Sequence, residues 1–105
     1  MVISDISSVD VALFLRLEEG EYNEAGMQAV MAAARQYIVS YTGLPETAEE
    51  GETIDSYEDL TFAYLVICRE LWDNRTMDVQ TVGAGRLQAN KVIDSILSMH
   101  ARNLV

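Results

Sequence analysis

One cysteine, one proline and one histidine are all that 105 residues contain of these types; the long stretches without proline read as helix, and the other two scarcities each remove a class of protein. Cys68 has no second cysteine to pair with, so an intramolecular disulfide and a Cys-rich metal site are excluded and a reducing compartment fits. His100 and Cys68 together cannot complete a structural zinc site without carboxylates, and no spacing suggests that. Basic residues are also few, seven against seventeen acids, for a net charge of −10. Proteins that grip nucleic acid draw most of their affinity from Lys and Arg on phosphates, so that class is disfavoured. No apolar run approaches the ~20 residues of a membrane span, and no basic-then-apolar leader opens the chain. Neither secretion nor membrane insertion is therefore expected.

What remains is one domain's worth of chain, half of it hydrophobic and 23% charged, a globular composition. The charge is uneven. Residues 1–78 hold sixteen acids and four bases, whereas residues 79–105 hold Asp94 against Arg86, Lys91 and Arg102. An acidic body with a slightly basic tail concerns solubility and partners more than fold.

The pattern predicts four helices. Ser7 with Asp10 forms an Asp version of the capping box and opens the first, whose apolar face is Val9, Ala12, Leu13 and Leu15, with Gly20 ending any extension. Asn23 caps the second, Glu24 suits its dipole, and Met27, Val30, Met31, Ala34, Ile38 and Tyr41 form a stripe spaced three and four apart. Gly43 and Pro45 stop it. Residues 44–56 form a long polar connector carrying Glu46, Glu49, Glu50, Glu52 and Asp55 and no base. Ser56 with Asp59 repeats the capping pattern and opens a third helix. From Leu60 to Cys68 that helix is apolar nearly all round, so it must be buried on more than one side. Arg69 and Asp73 make an i,i+4 pair near its end, and Asn74 and Arg75 close it. A second joint, containing Gly83-Ala84-Gly85, leads to a last helix over 88–103 with Val92, Ile93, Ile96, Leu97 and His100 on one face. The fold class is all-α, a small bundle in a single domain over 1–105.

No constellation for catalysis emerges. Cys68 sits in the most apolar stretch, where a thiol is an inert small hydrophobe. His100 reads as a packing or interface residue, since nothing near it in sequence orients it as a base. The connector acids lack the alternation of a calcium loop. Gly83-Ala84-Gly85 lacks the further glycine and the strand of a dinucleotide fold. No cofactor or metal is expected.

Three stretches carry a family pattern: Ala33-Ala34-Arg35-Gln36-Tyr37-Ile38-Val39-Ser40-Tyr41-Thr42-Gly43-Leu44-Pro45, then Leu65 through Arg75, then Asn90 through His100. With the Val11-to-Leu17 helix, their order resembles the head–tail connector (head-completion, or adaptor) proteins of long-tailed bacteriophages and prophages. The resemblance implies a non-enzymatic helical virion protein, in some members described as a DNA-packaging protein. It assembles as a dodecamer-like ring beneath the portal after packaging, extends the DNA channel and receives the stopper or tail-completion protein. It implies a virion location at the head–tail junction, with host cytoplasm during assembly. It also implies a portal-docking C-terminal helix, to which Lys91, Val92, Ile96, Met99, His100 and Arg102 correspond here. This chain departs from many relatives in its acidic 46–55 segment and in Leu44, where a basic residue often stands between Gly and Pro.

The residues add two expectations of their own. Acids lining a conduit repel phosphates, so DNA would pass without specific binding, and Glu49, Glu50 and Glu52 are the candidate channel-facing acids. A ring needs two different patches per subunit. Candidates are the second side of the third helix, the first helix and Tyr22, together with Arg35, Tyr37, Tyr57 and Arg75. The rival expectation is an acidic helical module that inhibits or caps a basic partner, such as an antitoxin-like or DNA-mimicking protein.

Overall fold

A computed structural model describes residues 2–73 and 91–100 of the chain. Among these residues there is no strand; the elements are a 3₁₀ turn Ile3–Asp5, α1 Ser8–Phe14, α2 Glu24–Thr42, a 3₁₀ turn Ile54–Ser56, α3 Glu58–Asp73 and α4 Lys91–Met99. The all-α bundle expected from the periodicity is the observed fold. Asn74, Arg75, the Gly83-Ala84-Gly85 joint, Arg102 and the outer turns expected for the last helix lie outside the described residues.

α1 begins as its sequence demands. The Ser7 hydroxyl accepts from the Asp10 amide while the Asp10 carboxylate accepts from the Ser7 amide, a complete capping box. Its end corrects the expectation that Gly20 terminates it. Arg16 takes the left-handed conformation (φ 60°), Leu17 N–H bonds the Ala12 carbonyl at 2.9 Å and Arg16 N–H bonds that of Leu13 at 3.1 Å. That is a Schellman ending with arginine where glycine is usual. The buried face is corrected too. Val11 and Ala12 point into the core, whereas Val9 and Leu13 are 57% and 69% exposed.

α2 follows its stripe. Asn23 accepts from the Gly26 amide at the start, and Gly43 (φ 79°) closes the end. Met27, Val30, Met31, Ala34 and Ile38 are buried, but at the last turn the buried residue is Thr42 and Tyr41 is half-exposed. α3 is the central helix. It packs against α1, α2, α4 and both 3₁₀ turns, burying Leu60, Ala63, Tyr64, Val66, Ile67, Cys68, Leu71 and Trp72. The near-continuous apolar run is what allows contact on so many sides. Arg69, at its outer end, lies over the Phe14 ring at 5.4 Å.

Ser56 and Asp59 do not cap α3, contrary to the sequence reading. The Ser56 hydroxyl accepts from the Thr53 amide at 2.9 Å within the capping box of the preceding 3₁₀ turn. Asp59 faces His100 instead. The connector is more than a polar tether. Leu44 and Ile54 are buried, the Ile54 amide bonds the Pro45 carbonyl at 3.0 Å, and Asp55 accepts from the Ser4 amide at 3.0 Å. Burial explains why an apolar residue suits position 44.

Candidate functional site

α4 is the element on which the expected docking residues converge. Its inner face buries Ile93 and Leu97 against α2 and α3. At mid-length the Tyr41 hydroxyl on α2 donates to Asp94 Oδ1 at 2.8 Å and lies 3.0 Å from Ser98 Oγ. A phenol has a single hydrogen, so Ser98 donates in the second contact. Asp94 and Ser98 are one turn apart, which lets one tyrosine hold both. Tyr37 packs against Tyr41 with ring centroids 6.1 Å apart. Burial raises the Tyr37 phenol above its ordinary value, with the Tyr41 phenol and Asp94 carboxylate adding to the effect.

A flank of α4, beside its buried face, carries a second apolar line. Val92, Ile96 and Met99 are spaced four and three apart and share one face. Val92 is 47% exposed, Met99 74%, and Ile96 is half-buried. Lys91 is exposed beside them. The sequence reading put Val92, Ile93, Ile96, Leu97 and His100 on one face; the structure divides them, with Ile93 and Leu97 inward and Val92 outward. His100 has the Asp59 carboxylate oxygens at 2.7 and 2.9 Å from Nε2 and stacks on Tyr57, centroids 4.1 Å apart. A carboxylate only accepts, so Nε2 carries the hydrogen.

The other expected residues fall in two groups. Arg35 is engaged within the chain, its Nε 3.1 Å from Glu46 Oε1, and so fastens α2 to the connector; both side chains are part-exposed, and the pair contributes little on its own. Tyr57 donates its hydroxyl to Glu52. Glu49 and Glu50 are exposed on the connector. Arg75 and Arg102 fall outside the described residues.

A further surface lies at α1. Val9, Ala12, Leu13, Leu17, Glu19 and Tyr22 line an open groove of about 380 Å³. The first helix and Tyr22 were expected at a contact surface, but the exposure of Val9 and Leu13 was not foreseen. Both fit a helical apolar face, and only packing shows which face the core takes.

Cys68 is fully buried and its thiol is pushed up to about 12, burial being the main cause, with the Tyr64 hydroxyl and the Arg35 guanidinium acting in the other direction. The enclosed Tyr64 hydroxyl has no hydrogen-bond partner of normal geometry among the described residues. Burial pushes its ionisation up, with the Cys68 thiol the next cause and Arg35 opposing. No group of three or more His, Cys, Asp or Glu side chains that could hold a metal ion occurs among the described residues. No described helix is long and apolar enough to cross a membrane. No family model, curated protein or solved structure matches the chain.

Proposed function

We propose that this chain is a phage head–tail connector that acts by assembly. In this reading it forms a dodecamer-like ring beneath the portal at the head–tail junction of the virion, extends the DNA channel and receives the stopper or tail-completion protein. The observation that carries the reading is the exposed pair Val92 and Met99, flanking half-buried Ile96, on a helix whose inner face is already packed. Apolar side chains exposed one above the other on a firmly seated helix suit docking on a partner. The sequence resemblance assigns portal docking to this same helix, and Lys91 would add charge attraction to an acidic portal surface.

The α1 groove supports the ring. Head-to-tail closure needs two different patches, and α1 packs on α2 and α3 at a place distinct from the α4 line. Glu49 and Glu50, exposed on the connector, would turn phosphates away from the channel wall. No catalytic role, cofactor or membrane is invoked.

Light scattering over a range of concentrations, followed by capture on purified portal protein, tests the proposal. A closed oligomer or portal capture is expected, with capture lost in V92D/M99D while the helical circular dichroism is retained. A monomer that ignores the portal and forms a one-to-one complex with a basic protein would replace it with the inhibitor reading.

A further inference from the structure

Two surfaces given separate roles above, the α4 line and the acidic connector, are joined through one set of side chains. His100 follows the last turn of α4, with its side chain only 12% exposed. Asp59, in the first turn of α3, accepts from its Nε2. The imidazole lies on the Tyr57 ring, tilted by 34°. Tyr57 occupies extended backbone (φ −130°, ψ 125°) between the second 3₁₀ turn and α3, and its hydroxyl donates to Glu52. One path from the end of α4 to the connector therefore runs His100, Tyr57, Glu52, with Asp59 as the fixed point on the central helix.

The middle of α4 is held differently, by Tyr41 on Asp94 and Ser98 and by burial of Ile93 and Leu97. These contacts involve α2 and α3 and do not include the connector. The two attachments can therefore be loosened separately. Tyr57 is the shared member at the end attachment, because one face of its ring meets the imidazole while its hydroxyl meets Glu52. A change in the seat of His100 changes what supports Tyr57, and so the placement of Glu52.

We propose that His100 is a positioning residue coupling the end of α4 to the acidic connector, with Tyr57 as the relay. Holding or displacing the end of α4 then alters the order of the segment carrying Glu49, Glu50 and Glu52, and by linkage the reverse holds. The coupling is a property of the isolated chain. It goes beyond the connector reading and survives or fails without it.

Hydrogen exchange of the full chain, read residue by residue, tests the coupling. In H100A the amides of Ile54 and Ser56, bonded to Pro45 and Thr53 in the native chain, are expected to exchange about tenfold faster, the response to about 1.4 kcal/mol of lost local stability. Amides of α1 stay protected. H100Q keeps a donor for Asp59 but loses the ring on Tyr57, and gives a smaller connector effect than H100A. Y41F, which loosens the middle of α4, speeds α4 and leaves the connector alone. The reverse arm is Y57F, which removes only the hydroxyl on Glu52 and is expected to speed the His100 amide, bonded to Leu97 in the native chain. Connector amides unchanged in H100A, or sped equally by Y41F, would overturn the coupling. Should H100A unfold throughout, Y57F decides alone, and an unchanged last turn of α4 would refute it.

Discussion

Replacing Thr42 with valine exchanges a hydroxyl for a methyl of nearly the same size at a fully buried position. Area bookkeeping alone expects such a change to stabilise, because more apolar surface leaves water. The structure expects the opposite. Thr42 Oγ1 donates to the Ile38 carbonyl at 2.7 Å and accepts from the Leu44 amide at 3.2 Å. It thus gives the chain a hydrogen-bonded exit from α2 just where Gly43 turns it out of the helix. Valine strands the Leu44 N–H in the interior, at a cost of roughly 1–3 kcal/mol, and removes the bond to Ile38, for a net loss of about 2 kcal/mol after the gain in apolar burial. Serine keeps both bonds and deletes one buried methyl, a loss of about 1 kcal/mol. The expected order of stability is wild type, T42S, T42V. In a domain of this size each kcal/mol moves Tm by roughly 4–8 °C, so thermal melts followed by circular dichroism separate the three. A T42V protein as stable as T42S, or more so, would refute the claim that the hydroxyl, and not its bulk, is what the site requires.

R16G should stabilise, since a non-glycine residue in the left-handed region costs about 1–2 kcal/mol and the added freedom of the unfolded chain offsets roughly 0.4–1; a melt higher by a few degrees checks it, and a lower one counts against the strain argument. S7A removes half of the α1 capping box and should cost about 1 kcal/mol in urea titrations. L97A, deleting fully buried volume in α4, should cost about 2–5 kcal/mol, while M99A on the outer line stays within about 0.5; equal effects would mean the two faces of α4 are misassigned. Alkaline pH should destabilise. Cys68, raised from 9.0 to about 12, and Tyr64, also raised, keep their protons in the folded chain after the unfolded chain has lost them. Their contribution is complete below the unfolded values and is lost as pH rises toward the folded ones, at up to about 1.4 kcal/mol per pH unit for each group. Urea midpoints at pH 8 and pH 10.5 should show the fall, and C68A should make it shallower.

Local signals were legible where the physics is local. The Ser7–Asp10 capping box, the Asn23 cap, the Gly43 stop and the α2 stripe each depend on residues within a turn of one another, so spacing alone placed them. The near-continuous apolar run of α3 announced burial on more than one side for the same reason, although Phe62 within it stays exposed on the helix's outer side. The inert thiol of Cys68 followed from its neighbours. Leu44 and Ile54 were less transparent, since two apolar residues in a polar stretch carry no period. Their burial became visible only when the connector was seen folded back on α2 and α3.

Tertiary structure decided what depends on residues far apart in the chain. Ser56 and Asp59 have the spacing of a cap, yet a stronger use exists for each: one closes the preceding turn, and the other meets His100, 41 residues away. α1 offers two apolar faces to any periodicity argument. Packing against the central helix chose Val11 and Ala12, leaving Val9 and Leu13 outside. α4 was split the same way, Ile93 and Leu97 inward and Val92 and Met99 outward. A sequence fixes which side chains are apolar and how they repeat along a helix. Which of two candidate faces is buried depends on the neighbour that covers it, and that neighbour exists only once the chain has folded.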